Sequence, residues 1–234
     1  MTMRVASTSA AFAATFVLAA AANAQHADVL LIPDFVNGVV TTGAFDDDSE
    51  MVLSMNQRVF EAEFGEADPM NPNFADEPGF RALPGDFDGS SWGFNIVDTI
   101  YQWNGSDFST VSPYSMTMNF GPSPDVTSPG MPGGFTPGFS IPVGPGGFDD
   151  HLNIFLDAPM DGTADGIYLL TLEVFADGLD ASDPIWFVMN RGLSEMEHEA
   201  AVDWVHDNLV PAPGAAVVFA GAGLLAARRR RDSQ

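Results

Sequence analysis

The stretch Ile167-Tyr168-Leu169-Leu170-Thr171-Leu172-Glu173-Val174-Phe175 is the clearest strand in the chain and decides its fold class. β-branched and aromatic residues of this kind favour extended structure. Successive side chains of a strand point to opposite faces, and here both faces are apolar as far as Thr171 and Glu173. We therefore expect this strand to lie in the centre of a sheet, covered on both sides.

Six other short apolar runs have a similar character, and each is bounded by turn-forming residues. They are residues 28–32, 51–55, 93–103, 114–120, 151–156 and 184–190. Because almost no helix separates these runs, the pattern predicts an all-β domain over residues 25–209. Its antiparallel sheets are expected to pack as a β-sandwich or a jelly roll.

Residues 121–147 interrupt this pattern, because 8 of the 27 residues are glycine and 7 are proline. Proline has no amide hydrogen to give to a sheet ladder. We therefore expect a long loop or extended connection here, without strands. Residues 65–92 contain four prolines and predict a second loop-rich stretch.

One helix is predicted over residues 194–208. Ser194 and Glu197 have the spacing of a capping box, in which each side chain satisfies a free amide at the start of a helix. An apolar stripe at helical spacing follows, made of Leu193, Met196, Ala200, Trp204 and Val205. We expect the helix to pack on the β domain through this stripe.

The N-terminal 24 residues have the three parts of a secretory signal helix. Arg4 supplies a positive start, residues 10–22 are apolar, and Ala22-Asn23-Ala24 is a small-x-small cleavage pattern. The apolar run is shorter than the roughly 18 residues that a membrane-spanning helix needs. We expect cleavage after Ala24.

The C-terminal segment, residues 210–234, also has three parts. Val210-Pro211-Ala212-Pro213-Gly214 ends any preceding helix, the next thirteen residues are small or apolar, and Arg228-Arg229-Arg230-Arg231 follows. A 13-residue helix rises about 20 Å, and it can cross a bilayer if the arginines extend to the interface. The positive-inside rule keeps these arginines cytoplasmic and leaves residues 25–210 outside.

This combination of parts resembles the PEP-CTERM sorting signal of Gram-negative bacteria, with Ala212 where the family most often has glutamate. The resemblance implies processing by an exosortase near Pro211 and Pro213. It also implies contact with the membrane through the C-terminal segment and delivery to the cell envelope, the outer surface or an exopolysaccharide matrix. The alternative is a plain C-terminal tail anchor.

The charge balance excludes several functions. The chain has 32 Asp and Glu against 8 Lys and Arg, a formal net charge of -24, and such a surface repels the phosphates of nucleic acids.

The absence of cysteine excludes disulfides, zinc–thiolate sites and a thiol nucleophile. No His-Glu-x-x-His pair occurs, and no glycine-rich loop has the lysine of a phosphate-binding motif. We expect no catalytic activity.

The acidic clusters are candidate calcium sites, because calcium takes six to eight oxygen ligands. Asp161, Asp165 and Gly166 match positions 1, 5 and 6 of an EF-hand loop. The twelfth position is Leu172, and Glu173 comes one residue late, on the opposite face of a strand. The same residues are typical of an Asp-Gly turn, and a looser calcium site between loops is the alternative.

The histidines give a zinc hypothesis. Asp149, His151 and Asn153 alternate, so they share one face if the segment is a strand, and we take His151 with Asp149 as a possible metal pair. His198 and His206 lie about two turns apart on the predicted helix, too far to share one ion. We expect their face of the helix to be solvated.

Residues 151–208 also resemble an uncharacterised group of bacterial PEP-CTERM proteins. The shared features are His-Leu-Asn at 151–153, Asp165-Gly166-Ile167-Tyr168, Ser182-Asp183-Pro184 and the acidic helix. Some cyanobacterial relatives are described as repressed by a zinc-responsive regulator, which implies metal handling. Only His151 carries over from the histidine-rich pattern of that group.

Two functional hypotheses follow. The first is an exported, non-catalytic component of the envelope or extracellular matrix. The second is a surface or periplasmic metal-binding protein that holds Zn²⁺ or Ca²⁺ through His151 and nearby carboxylates.

Overall fold

The computed structural model describes residues 27–211. The predicted signal helix and its cleavage residues Ala22 and Ala24 lie outside the described residues. So do the predicted anchor helix and Arg228 to Arg231. Within residues 27–211, no helix is long and apolar enough to span a membrane.

The described part of the chain contains sixteen strands and one helix. The first eight strands are β1 (Ala27–Asp34), β2 (Val39–Asp46), β3 (Met51–Met55), β4 (Val59–Glu63), β5 (Phe74–Ala75), β6 (Phe80–Ala82), β7 (Ser91–Ile96) and β8 (Tyr101–Gln102). The others are β9 (Thr110–Val111), β10 (Met116–Asn119), β11 (Val126–Thr127), β12 (Thr136–Pro142), β13 (Phe148–Asp150), β14 (Asn153–Leu156), β15 (Gly166–Ala176) and β16 (Ile185–Arg191), before helix α1 (Glu195–Asn208).

The strand predicted at residues 167–175 is β15, and it lies in the middle of a seven-stranded sheet. The order is β12-β7-β15-β16-β4. In addition, β8 pairs with β15, and β9 pairs with β8. Alternate side chains of β15 enter two separate cores: Tyr168 and Leu170 belong to the large core, whereas Ile167 and Leu169 belong to a smaller one under α1. The predicted central position is confirmed.

The sheets are not all antiparallel. A five-stranded sheet has the order β13-β6-β1-β2-β3, and a four-stranded sheet has the order β11-β10-β14-β5. Strand β1 pairs with β2 antiparallel along its whole length but with β6 parallel, and β16 pairs with β4 parallel. The all-β class with one helix is confirmed, and the expectation of purely antiparallel sheets is wrong.

The glycine- and proline-rich segment 121–147 contains strands, so the prediction of a strandless connection is wrong. Strand β12 lies at one end of the seven-stranded sheet, where proline is tolerated, and its register shifts between Pro137 and Ser140. A Cβ on Gly138 would lie only 2.0 Å from the carbonyl oxygen of Phe94 on β7. Glycine therefore allows the two backbones to approach closely.

The helix has its predicted bounds and cap, and its packing face agrees with the predicted stripe in part. The Glu197 carboxylate accepts hydrogen bonds from the Ser194 amide, at 3.3 Å, and from its hydroxyl, at 2.7 Å. Val205 is buried, and Leu193 and Trp204 pack against the same core, as predicted, whereas Met196 (79% exposed) and Ala200 face solvent, where the prediction is wrong. The buried face consists of His198, Ala201, Val202 and Val205, because the ring of His198 bonds to the sheet.

Candidate metal centre

Asp28 is a carboxylate inside the protein, 1% exposed, at the second position of β1. The Gly79 amide donates to its Oδ1 at 2.8 Å, and the Val29 amide donates to the Gly79 carbonyl at 2.9 Å. These bonds hold the segment that leads into β6 against β1. They leave Asp28 Oδ2 without a hydrogen-bond partner.

Three other side chains converge on Asp28 from different parts of the chain. Asp47 follows β2, whose last residue pairs with the first residue of β1. Asp149 lies on β13, opposite Arg81 of β6, and His151 follows β13 directly. One ligand atom from each of Asp28, Asp47, Asp149 and His151 lies within 4.8 Å of the others, an arrangement able to hold a metal ion. We call these four residues the Asp28 site.

Burial places an electrostatic penalty on Asp28. The pKa of its carboxyl group is raised to about 8, mainly by desolvation and further by the side-chain contact with Asp47 and the charge of Glu77. A buried polar atom without a partner costs about 1–3 kcal/mol. A bound cation would remove this cost, because it supplies the partner that Oδ2 lacks and compensates the negative charge.

The two nitrogens of His151 have different surroundings. Nε2 lies 3.3 Å from Asp149 Oδ1, on the side of the carboxylates. Nδ1 lies 3.3 Å from both Glu77 Oε1 and the Asp76 carbonyl oxygen. The hydrogen bond to Glu77 raises the pKa of His151 to about 10 despite burial, and the charges of Asp28 and Asp149 contribute. A histidine metal ligand is oriented in this way, with its second nitrogen on a carboxylate or carbonyl.

Arg81 holds the two outer carboxylates of the site. Its guanidinium bonds to Asp47 and lies 3.1 Å from Asp149 Oδ2, and it stacks over the Phe45 ring at 4.2 Å. Two aspartates of the site therefore share one arginine. With its ligands deprotonated, the site would hold three negative aspartates against one arginine, a charge that a divalent cation can balance.

Gly79 is required at this site for steric reasons. A Cβ there would lie 2.6 Å from Asp28 Oδ1 and 2.8 Å from His151 Cε1, closer than real contacts. Sequence reasoning found His151 and Asp149 and placed Asp47 in a candidate acidic cluster, residues 46–48, but it missed Asp28 and Gly79. The available signal was the position of Asp28 inside an apolar strand run, where a lone carboxylate is unusual.

The other predicted ligands are not brought to this site. Asp161 caps a local turn, accepting from the Thr163 amide at 3.1 Å and hydroxyl at 2.6 Å. Asp165 pairs with Arg191, a side chain buried to 2% exposure. A local turn thus accounts for Asp161, and an ion pair accounts for Asp165. Asn153, expected on one strand face with His151, instead donates to Asn119 at 2.9 Å.

The helix histidines differ from their expectation as well. His198 is completely buried and belongs to a second group with Glu61 and Glu195 that could hold a metal ion. His206 is exposed at the last turn. The expectation of a solvated face is therefore wrong for His198.

Ser91 lies in the segment Gly89-Ser90-Ser91-Trp92-Gly93, which has the Gly-x-Ser-x-Gly spacing of a hydrolase nucleophile elbow. Such an elbow is a sharp turn from a strand into a helix. Here Ser91 begins strand β7, which continues to Ile96. The segment runs from a turn into a strand, so the geometry of an elbow is missing at Ser91.

The predicted sorting motif begins at the edge of the described residues. Val210 and Pro211 line an open cleft of about 500 Å³, together with Thr42, Arg58 and Asp183. Ala212, Pro213 and Gly214 lie outside the described residues.

No protein-family model matches the chain, and no curated protein matches it either.

Proposed function

We propose that the protein is an exported, non-catalytic component of the cell envelope or extracellular matrix that binds a divalent cation at the Asp28 site. One observation carries the binding proposal: a buried carboxylate oxygen without a hydrogen-bond partner faces two further carboxylates and an imidazole. A cation in their midst would join β1, the turn after β2 and the end of β13. Its role is structural, stabilising the protein outside the cell.

The ligand types favour zinc over calcium. Imidazole suits zinc and related transition metals, whereas calcium prefers six to eight oxygens. Ligands about 2.1 Å from a tetrahedral zinc lie about 3.4 Å apart, so atoms spread over as much as 4.8 Å must close slightly on binding. Asp47 and Asp149 are partly exposed and able to make that movement.

The test is a metal titration of the purified full chain in mild detergent. After treatment with a chelator, we expect calorimetry to show zinc uptake, and His151→Ala should bind one equivalent less. His206→Ala is the matched control, since it removes an exposed histidine outside the site. Equal zinc uptake by His151→Ala and the unsubstituted chain would exclude zinc binding at the Asp28 site. Preference for calcium over zinc would exclude the zinc assignment.

Export and sorting rest on the sequence segments at the two ends. The signal-like residues 1–24 and the motif from Val210 to Gly214 support secretion, processing by an exosortase and attachment to the envelope or an exopolysaccharide matrix. Replacing Pro211 and Pro213 in the native host should change the size and location of the protein. If both stay the same, the plain tail anchor is the better explanation.

The sheet arrangement is proposed to be a β-sandwich or jelly-roll-like fold. Its support is the large core, to which all three sheets contribute, for example through Val29, Phe94 and Met118. Side chains from facing sheets meet in this manner in sandwich folds.

A further inference from the structure

His198 of α1 contains, like Asp28, a buried side-chain atom without a hydrogen bond. His198 is 0% exposed, its Nε2 lies 2.9 Å from the Val188 carbonyl oxygen, and its Nδ1 lies 3.0 Å from Glu63 Oε1. The contact with Glu63 is an ion pair only when the ring is protonated, and in the neutral ring Nδ1 makes no hydrogen bond. Within residues 27–211, the buried side-chain atoms without a hydrogen bond are this nitrogen and Asp28 Oδ2.

Neither neutral form of the His198 ring suits these neighbours. A neutral imidazole carries one hydrogen, so its other nitrogen points a lone pair at its neighbour. With the hydrogen on Nε2, the lone pair of Nδ1 faces the Glu63 carboxylate. With the hydrogen on Nδ1, the lone pair of Nε2 faces the Val188 carbonyl. Either a second proton or a cation at Nδ1 removes the repulsion.

The surroundings of Nδ1 are rich in carboxylates. Glu61 and Glu63 lie two residues apart on β4, so they share the face that looks toward α1, and Glu195 begins the helix. One oxygen each of Glu61 and Glu195 lies within 4.8 Å of the other and of the imidazole. Glu63 Oε1 also accepts from Asn190 Nδ2 at 3.0 Å, which fixes it beside the ring.

The arginines of the described residues are engaged elsewhere. Within residues 27–211, Arg58 pairs with Asp183, Arg81 pairs with the aspartates of the Asp28 site, and Arg191 pairs with Asp165. One imidazolium offsets only one of the two negative charges that Glu61 and Glu63 can carry on this face of β4. A divalent ion offsets more of that charge and also accepts the lone pair of Nδ1.

We propose that Glu61, Glu195 and His198 form a second binding site for a zinc-like divalent cation, with Glu63 beside it. We call these three ligands the His198 site. It shares no residue with the Asp28 site and goes beyond the function proposed above. A cation there joins the first turn of α1 to β4, and so secures the helix that leads to Pro211.

The experiment uses the full chain with Asp28→Asn, which removes the ligand at the other site. Zinc chloride is titrated into the chelator-treated protein at neutral pH and followed by calorimetry. Glu195→Gln is the test variant, because Glu195 is exposed whereas replacement of the buried His198 endangers folding. Glu199→Gln, four residues further along the helix and also exposed, is the matched control.

We expect Asp28→Asn to take up one equivalent of zinc, with affinity about tenfold lower after the added Glu195→Gln change and unchanged after Glu199→Gln. Histidine ¹⁵N NMR of Asp28→Asn should show Nδ1 of His198 bound to metal and Nε2 still protonated. Protonation of both nitrogens in the presence of zinc would overturn the His198 site and identify a plain imidazolium.

The two proposals fail in different ways. If the unsubstituted chain binds one zinc and Asp28→Asn binds none, the His198 site is wrong and the Asp28 site stands. If Asp28→Asn binds as much zinc as the unsubstituted chain and Glu195→Gln weakens that binding, the Asp28 site is wrong and the His198 site stands.

Discussion

The Asp28 site and the His198 site each contain a buried side-chain atom without a hydrogen bond, but the source of the negative charge differs between them. At the first, a carboxylate oxygen is buried, so deprotonation puts a negative charge where water cannot reach it. At the second, the buried atom is a ring nitrogen, and the charge comes from glutamates at the rim. Arg81 braces two ligands of the first site, whereas the second depends on a helix end. We therefore expect the Asp28 site to be the more rigid one and to bind zinc more tightly.

The largest effect is expected from Gly79→Ala, which tests this rigidity. The new methyl group would collide with Asp28 and His151, so we expect a loss of about 1–3 kcal/mol in the free energy of unfolding. Zinc affinity at the Asp28 site should fall by about 100-fold, with the His198 site unaffected. Denaturant unfolding and calorimetry measure the two quantities.

Gly144→Ala is the control for that change. Gly144 is exposed, and a Cβ there meets no atom within 4 Å. It should leave stability and zinc binding unchanged. If Gly79→Ala binds zinc as the unsubstituted chain does, the close approach at Gly79 has no part in the site.

An effect of similar size but opposite sign on stability is expected from Asp28→Asn in metal-free protein. The asparagine oxygen keeps the bond from the Gly79 amide, and its NH₂ group removes the buried charge and donates toward Asp47. At pH 8 we expect the free energy of unfolding to rise by about 1–3 kcal/mol, while one zinc equivalent is lost. Asp177→Asn removes the same charge from an exposed position. It should neither raise the free energy of unfolding nor lower zinc uptake.

The pH dependence of stability in the metal-free protein follows from Asp28 and from His151 beside it. The folded pKa values, about 8 for Asp28 and about 10 for His151, both exceed the ordinary values of 3.8 and 6.5. The folded protein therefore holds more protons than the unfolded chain. The contribution of Asp28 is complete below pH 3.8 and lost as the pH rises through about 8, and that of His151 is complete below 6.5 and lost through about 10.

The stability of the unsubstituted chain with chelator should thus decline from about pH 4 to pH 10. In Asp28→Asn, stability should decline less steeply below pH 8. Thermal unfolding in a series of buffers measures both curves. Two parallel curves would show that Asp28 carries no excess proton in the folded protein.

Sequence reasoning predicted the parts of each site that depend on local pattern. The alternation around His151 placed Asp149 near it, and the Ser194 cap placed the helix. Asp28 was missed, and so was its proximity to Asp47, because the two meet through the pairing of β1 with β2, and β2 was not predicted. Pairing between distant segments is a property of the whole fold and leaves little trace in any one segment.

The same reason explains why the buried face of α1 includes His198 and leaves out Met196. The stripe from Leu193 to Val205 is apolar, but the sheet beneath the helix offers a carbonyl and a carboxylate at the place where His198 docks. Two polar contacts of the ring thus accompany the burial of His198, while Met196 is exposed. Hydrophobic periodicity cannot include such partners, because they lie on β4 and β16, far away in sequence.

The smallest effect is expected from Glu77→Gln, which separates orientation of a ligand from coordination. Glu77 faces Nδ1 of His151, the nitrogen turned away from the carboxylates, so its role is to orient the ring. Glutamine still offers an oxygen to Nδ1 but no charge, and zinc affinity at the Asp28 site should fall by about tenfold without loss of stoichiometry. Glu66→Gln, an exposed change nearby in the chain, is the control. Complete loss of one zinc equivalent in Glu77→Gln would instead make Glu77 a direct ligand of the metal at the Asp28 site.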